Sequence, residues 1–281
     1  MIVAEDGSFW GYLSGGCVEA AIATVATTAI TTGKNFATRF GVGSPFLDIR
    51  LPCGAGIDIW FDHTITTALV DNVLQRLAHR EPVCVETCVD PLAGTPRIIS
   101  PDIAAKPTSF RRWYYPNRRI YIVGTGPSVL ALARLAEASN YEVTVLSPDG
   151  RTLDDLSSLA VRVKRLTDIS QIQALDRDQF TALVLLFHEH ERETEILKDF
   201  IYSDTFYIGA LGSKRTHAIR LDLLRAAGVE DKYVQRIHGP VGLDIQAQTP
   251  DEIAISVLAQ MTAVYQALEK PLIEWNGGAL T

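Results

Sequence analysis

The apolar positions fall into two regimes along the chain. In "CVEAAIATVATTAIT", from Cys17 to about Thr31, Val18, Ala21, Ile22, Val25, Ala29 and Ile30 fall on one side of a helix. Gly33 fits the residue just past its end. "LDIRL" and "IDIWFD" predict strands joined through Pro52 to Gly56. "ITTALVDNVLQRLAHR" predicts a second amphipathic helix and "EPVCVETCV" another strand. Between about Leu92 and Arg119 the periodicity fails, in a stretch that, counted from Pro91, holds five prolines and two Arg pairs. Beyond it, short apolar runs alternate with helical segments. "RIYIVG", "YEVTVLS", "TALVLLF" and "TFYIGAL" predict strands; "SVLALARLAEAS", "ETEILKDFIYS" and "RTHAIRLDLLRAAG" predict helices, the last ending on Gly228. The final helix opens at "TPDE", where Thr249 can cap, Pro250 suits the first turn and Glu252 can close a capping box. Strand–helix alternation predicts a parallel α/β sheet. The expected class is α/β, with an N-terminal α/β domain over 1–105, a linker over 106–118 and a Rossmann-like parallel-sheet domain over 119–281.

Composition narrows the function classes. The 281 residues, 47% hydrophobic and 21% charged, suit a globular chain with ample core. A net charge of −7 without a basic block argues against a nucleic-acid partner. No apolar run reaches the ~18 residues of a membrane span, and the N-terminus lacks signal-peptide regions. A soluble, cytoplasmic protein is expected. Cys84 and Cys88 stand four apart on a strand, ~13 Å, too far for a disulfide or a shared metal.

Three places carry candidate chemistry. "YIVGTGPSVLALA" puts Gly124 and Gly126 between a strand and a helix, where loop amides and the helix start favour a phosphate. Val129 stands at the third glycine position, and Ser147 where an acid would hold a ribose; Asp149 comes two positions late and Arg151 suits a 2′-phosphate. A nucleotide site and a Rossmann scaffold kept for shape both remain open. Cys17, behind Gly15 and Gly16, lies in the first turn of its helix, where the dipole favours a thiolate; Cys53 lies on a glycine-lined turn with Gly54 and Gly56. The pair reads either as soft ligands for a thiophilic metal or as two small residues in tight turns. His188 and His190 follow a strand within an acidic loop that includes Glu193; they suit a metal or acid–base role, or a solvated loop. Gly212, Ser213, Lys214 and Arg215 open a helix in a way that suits an anion, and the loop from His238 to Ile245 is placed to line a site.

Together "YLSGGCVEA", "LPCGAGIDIWFD", "IYIVGTGPSVLALARLA", "YIGALGSKRTHAIRLDLLRAAGV" and "IHGPVGLDIQAQTPDEIAISVLAQ" resemble the XdhC/CoxI family, in the same order and over nearly the whole chain. The resemblance implies an accessory factor that binds the molybdenum cofactor (molybdopterin), supports its sulfuration and delivers it to a xanthine dehydrogenase-like apo-enzyme. It implies a cofactor chaperone rather than a catalyst, a homodimer, and a cysteine desulfurase as a further partner. Carried onto this chain, it marks Gly15, Gly16, Cys17 and Glu19; Cys53, Gly54 and Gly56; Gly124 and Gly126; His188 and His190; Gly209, Gly212, Ser213, Lys214 and Arg215; and Pro240, Gly242, Leu243, Asp244 and Ile245. Cys17 and Cys53 are the expected contacts to the metal or its sulfur.

The chain departs from the family at Val129, at Ser147 and at Phe187, where the family tends to have Thr. The family also carries an upstream segment with a Gly-Ser-x-Pro-Arg-like motif, so a member short at its N-terminus is expected. NAD(P) or another nucleotide at the Rossmann loop, in an NAD(P)-dependent oxidoreductase, is the alternative. A non-enzymatic interaction protein with a dead site is the third reading.

Overall fold

The structure is a computed structural model that describes residues 1–16, 18–46, 54–90, 96–100, 103–104, 106, 108–187, 190–268 and 270–276. The chain forms two compact units, Met1–Pro116 with Pro271–Thr281, and Asn117–Lys270.

Unit 1 opens with the short antiparallel pair β1 (Ile2–Val3) and β2 (Phe9–Trp10). Helix α1 (Glu19–Thr32) follows and is closed by Gly33 in the left-handed conformation, as the pattern predicts. Its buried stripe is Ile22, Ala23, Ala26 and Ala29, rotated from the expected one toward the small residues. Of these, Ile22, Ala26 and Ala29 pack with Val18 on Phe40 and Phe61 of the antiparallel ribbon β3 (Phe36–Gly41) and β4 (Gly56–Phe61). The strand expected at "LDIRL" lies outside the described residues. Helix α2 (Thr67–Ala78) is capped by Thr66 and buries none of its residues.

Strands β5 (Val83–Cys88), β6 (Arg97–Ile99) and β7 (Ser109–Tyr114) then form an antiparallel sheet. Two of these strands lie where the periodicity fails. The reason is an ion pair inside the sheet: Arg111 Nη2 meets Glu86 Oε1 at 3.1 Å, and both residues are buried. Burial alone would raise the Glu86 carboxyl, but Arg97 and Arg111 hold it below its ordinary range. A strand whose inward positions include an arginine has no hydropathy alternation to read. Cys84 is buried and Cys88 half-buried, both as free thiols, and burial pushes the Cys84 thiol up.

Unit 2 is a doubly wound sheet. Its elements run β8 (Arg119–Gly124), α3 (Pro127–Ala138), β9 (Glu142–Ser147), α4 (Gly150–Asp155), β10 (Arg162–Arg165), α5 (Ser170–Gln173), β11 (Thr181–Leu186), α6 (His190–Phe200), β12 (Tyr207–Ala210), α7 (Lys214–Ala226), α8 (Asp231–Val234), β13 (Ile237–His238) and α9 (Pro250–Gln266). The six strands are all parallel in the order β10-β9-β8-β11-β12-β13. That is the Rossmann order, with its switch point between β8 and β11. Alternate strand residues feed two cores. Ile120, Ile122 and Val184 pack with Val129, Leu132, Val257 and Met261 of α3 and α9. Tyr121, Val123 and Leu185 pack with Leu197, Phe200 and Leu224 of α6 and α7. Each such fully buried aliphatic side chain stabilises the fold by ~2 kcal/mol. The expected capping box at Thr249 and Glu252 is formed. After α9 the chain returns to unit 1 as β14 (Ile273–Asn276), antiparallel to β7. No helix among the described residues is long and apolar enough to cross a membrane.

Candidate functional site

In unit 1 the first motif folds around one carboxylate. Gly15 and Gly16 have φ of 76° and 109°, conformations that favour glycine, and a Cβ at either would meet nothing within 4 Å. The loop's outer side is therefore open. Its inner side is filled by Glu19, only 2% exposed. Glu19 Oε1 accepts from the amides of Leu13 (2.8 Å) and Ser14 (2.7 Å), and Oε2 from those of Gly16 (2.9 Å) and Val18 (3.2 Å). The Ser14 hydroxyl adds a bond at 3.0 Å. The Ser14 amide first, with the other donors, outweighs burial and brings the Glu19 carboxyl down to about 2. Glu19 thus faces the backbone of its own loop. Cys17 lies outside the described residues.

Cys53 lies outside them too, with the turn residues from position 47 onward. Gly54 is exposed ahead of β4, and Gly56 opens the strand. Gly56 is a close-approach glycine: a Cβ there would come within 2.6 Å of the Val42 carbonyl oxygen and 2.7 Å of Arg39 Nε. Arg39 occupies that space because it donates to Val42 O at 2.9 Å and pairs with Asp58 at 2.8 Å. Any approach of Cys17 to Cys53 falls outside the described residues. Among the described residues no three His, Cys, Asp or Glu side chains are grouped to hold a metal.

In unit 2 the parallel sheet brings the loops after β8, β11, β12 and β13 to one end. At the switch point a Cβ on Gly124 would lie less than 3.0 Å from the Leu186 carbonyl oxygen, so β8 and β11 close tightly only with glycine there. The loop's donors are largely committed. The Gly126 amide donates to Thr152 Oγ1 at 3.0 Å, and Thr152 Oγ1 donates to Asp149 Oδ2 at 2.6 Å. Asp149 also caps α4 through the Thr152 amide at 2.9 Å. The Thr152 hydroxyl and amide hold its carboxyl below the ordinary range. The Thr125 amide reaches Leu186 O at 3.3 Å, and Pro127 has no N–H. Val129 and Ser147 are fully buried. Thr152, buried and unmarked by the glycine motif, is the residue that sequence reasoning missed here. Its only signal is a threonine three places after a capping aspartate.

Beyond β12, Ser213 caps α7 by accepting from the Thr216 amide at 3.1 Å, which leaves Lys214 and Arg215 exposed on the first turn. Gly212 sits against Thr216, where a Cβ would approach to 2.8 Å. At Gly209, Gly239 and Gly242 a Cβ would lie less than 3.0 Å from Val241, His217 and Ser256 respectively. These motif glycines therefore serve packing. Tyr207 stacks on His238 with centroids 4.6 Å apart and donates its hydroxyl to Gln260 Oε1 at 2.5 Å. The Gly242 amide donates to the same oxygen at 2.9 Å. Leu243, Asp244 and Ile245 lie exposed on the loop that follows the cis Gly239–Pro240 bond. Phe187 is buried, His188 lies outside the described residues, and His190 is the first residue of α6.

Glu193 corrects the picture of a solvated acidic loop. It is buried and takes the guanidinium of Arg220, with Nη2 at 3.0 Å and Nε at 3.2 Å from Oε2. Arg220 Nη2 also donates to Leu211 O at 2.6 Å, which ties α6 to the loop after β12. Neither residue stands out locally, because a charged residue on an amphipathic helix normally reads as solvated.

The geometry has counterparts. The family described as "XdhC Rossmann domain" matches residues 120–261, and "XdhC and CoxI family" matches residues 1–41. The molybdenum cofactor insertion chaperone PaoD of Escherichia coli K12 is 33% identical over 273 residues, 94% of this chain and 77% of the relative. A protein of Bacillus subtilis 168, described as a probable xanthine dehydrogenase subunit, is 32% identical over 149 residues, 52% of this chain and 42% of that protein. A crystal structure from Bacillus halodurans, described as a xanthine dehydrogenase, superposes with a TM-score of 0.74 at 21% identity. It covers 95% of this chain and 85% of its own, and at that identity the likeness is one of fold. With a Rossmann unit and a glycine–cysteine loop unit in one order, the chain belongs to the XdhC and CoxI family.

Proposed function

We propose that this protein takes the molybdenum cofactor as cargo and passes it to a xanthine dehydrogenase-like apo-enzyme. The observation that carries the reading is the 33% identity to a molybdenum cofactor insertion chaperone across 94% of the chain, through both units. The open outer side of the Gly15–Gly16 loop supports it, because a bulky planar cargo needs backbone it can reach. In this reading Cys17 and Cys53 contact the metal or its sulfur, and the helix start at Ser213–Arg215 holds the cofactor's phosphate. Sulfuration with a cysteine desulfurase, a homodimer and a cytoplasmic site of action belong to the same proposal. The Thr152 bridge to Gly126 weighs against NAD(P), since the amide and the nearby carboxylate that a dinucleotide would use are both engaged by the Thr152 hydroxyl.

The test mixes the protein anaerobically with released cofactor, gel-filters it, and measures molybdenum and pterin fluorescence. Wild type is expected to carry both, and a Cys17→Ala, Cys53→Ala double variant to lose them. Absence of co-eluting cofactor with wild type, together with a saturable NADPH titration, overturns the reading in favour of an oxidoreductase.

A further inference from the structure

Four amides, of Leu13, Ser14, Gly16 and Val18, converge on Glu19 at 2.7–3.2 Å. Backbone N–H groups aimed at one point make an anion nest, and the start of α1 adds its partial positive charge. Here the anion is supplied from within the chain, by the buried Glu19 side chain. The geometry points to Glu19 as a positioning residue: a built-in anion that fixes the backbone at Leu13, Ser14, Gly16 and Val18 and closes their amide nest to the cargo's phosphate. This rests on the cofactor-handling reading.

Two observations carry it. Both carboxylate oxygens are engaged on the loop's inner side, so Glu19 cannot touch a cargo on the open side without releasing the backbone. Both oxygens act only as acceptors, so the nest requires a carboxylate. A glutamine would turn its NH2 group toward at least one pair of these amides, donor against donor. The loop then meets its cargo with the amides of Leu13, Ser14, Gly16 and Val18 already satisfied, and the phosphate is left to another part of the protein.

The experiment uses the full chain as wild type, Glu19→Gln and Glu19→Ala. It reads amide hydrogen exchange across residues 13–18 and, separately, cofactor retention after gel filtration with and without formate. Exchange in the loop is expected to rise at least tenfold in both variants, with the amides of unit 2 unchanged. Retention is expected to fall in both. Formate, a carboxylate small enough for the vacated nest, restores slow exchange and retention in Glu19→Ala but not in Glu19→Gln, whose side chain fills the space. Inorganic phosphate binds the loop only in Glu19→Ala. Loop exchange as slow as wild type in Glu19→Gln, or full retention alongside fast exchange, overturns the inference. Should wild type itself retain no cofactor, the functional reading fails, and the exchange and formate arms still decide the part played by Glu19.

Discussion

Arg220 and Glu193 form an ion pair from which water is almost wholly excluded, with side chains 2% and 1% exposed and Nη2 3.0 Å from Oε2. Removing one partner of such a pair strands the other charge, whereas removing both does not. Arg220→Met is therefore expected to destabilise unit 2 by about 3–5 kcal/mol. The double variant Arg220→Met, Glu193→Leu should lose clearly less. Urea unfolding of the two proteins checks the order; a double variant worse than the single contradicts it.

The Thr152 bridge makes a second prediction. Thr152→Val keeps the shape but leaves the Gly126 amide and the Asp149 oxygen without their hydroxyl partner. A cost of about 1–3 kcal/mol is expected, and Thr152→Ser should recover most of it. Fluorescence titration of wild type with NADPH should stay flat. Tight saturable binding would show that the bridge opens for a dinucleotide.

The two glycines of the Rossmann loop should behave differently. Gly124→Ala drives a methyl group into the Leu186 carbonyl and must move β8 away from β11. Gly126→Ala meets no atom within 4 Å and strains only its own backbone, at φ 86°. The cost at Gly126 is about 1–3 kcal/mol, and Gly124→Ala should lower the melting temperature further. Equal shifts would mean that the strands adjust freely.

His217 and His238 lie near the Arg220 guanidinium and the Tyr207 ring. Burial pushes both histidines below the ordinary value, and at His217 Arg220 and His238 add to the shift. A histidine depressed in the folded state binds fewer protons there than in the unfolded chain. Stability is then full above the unfolded histidine pKa of about 6.5 and falls as pH drops below it. The melting temperature should decline between pH 7.5 and 5.5, and His238→Phe, which keeps a ring against Tyr207, should flatten that decline. An unchanged slope in His238→Phe would place the acid sensitivity elsewhere.

The elements that could be read from sequence were those whose partners lie close in the chain. Gly33 closes α1 and Thr249 boxes with Glu252 through bonds spanning at most five residues, so local pattern is enough. The central strands of unit 2 are buried on both faces and show as apolar runs. What escaped depends on distant partners. β7 carries Arg111 inward because Glu86 awaits it across the sheet. Arg220 is buried because Glu193 lies on another helix. α2 has an amphipathic pattern yet buries nothing, since periodicity shows a face without showing what covers it. At the candidate site the sequence marks motif residues without telling their tasks apart. Glu19 faces backbone and Gly56, Gly124, Gly209, Gly239 and Gly242 answer to packing, none of which a motif distinguishes from binding.

β14 pairs with β7, yet all of unit 2 lies between them in the chain. Unit 2 is thus an insertion whose entry and exit strands are neighbours in a single sheet. During synthesis, β7 is made before any of unit 2, and its partner β14 only after the whole of it. The Rossmann unit can fold while that edge of β7 is still open, and by drawing its own ends together it shortens the search that closes the loop. A chain halted or cut before Ile273 would hold every residue of unit 2 but lack the strand that pairs with β7. Sealing β7 therefore reports that the whole of unit 2 has been made.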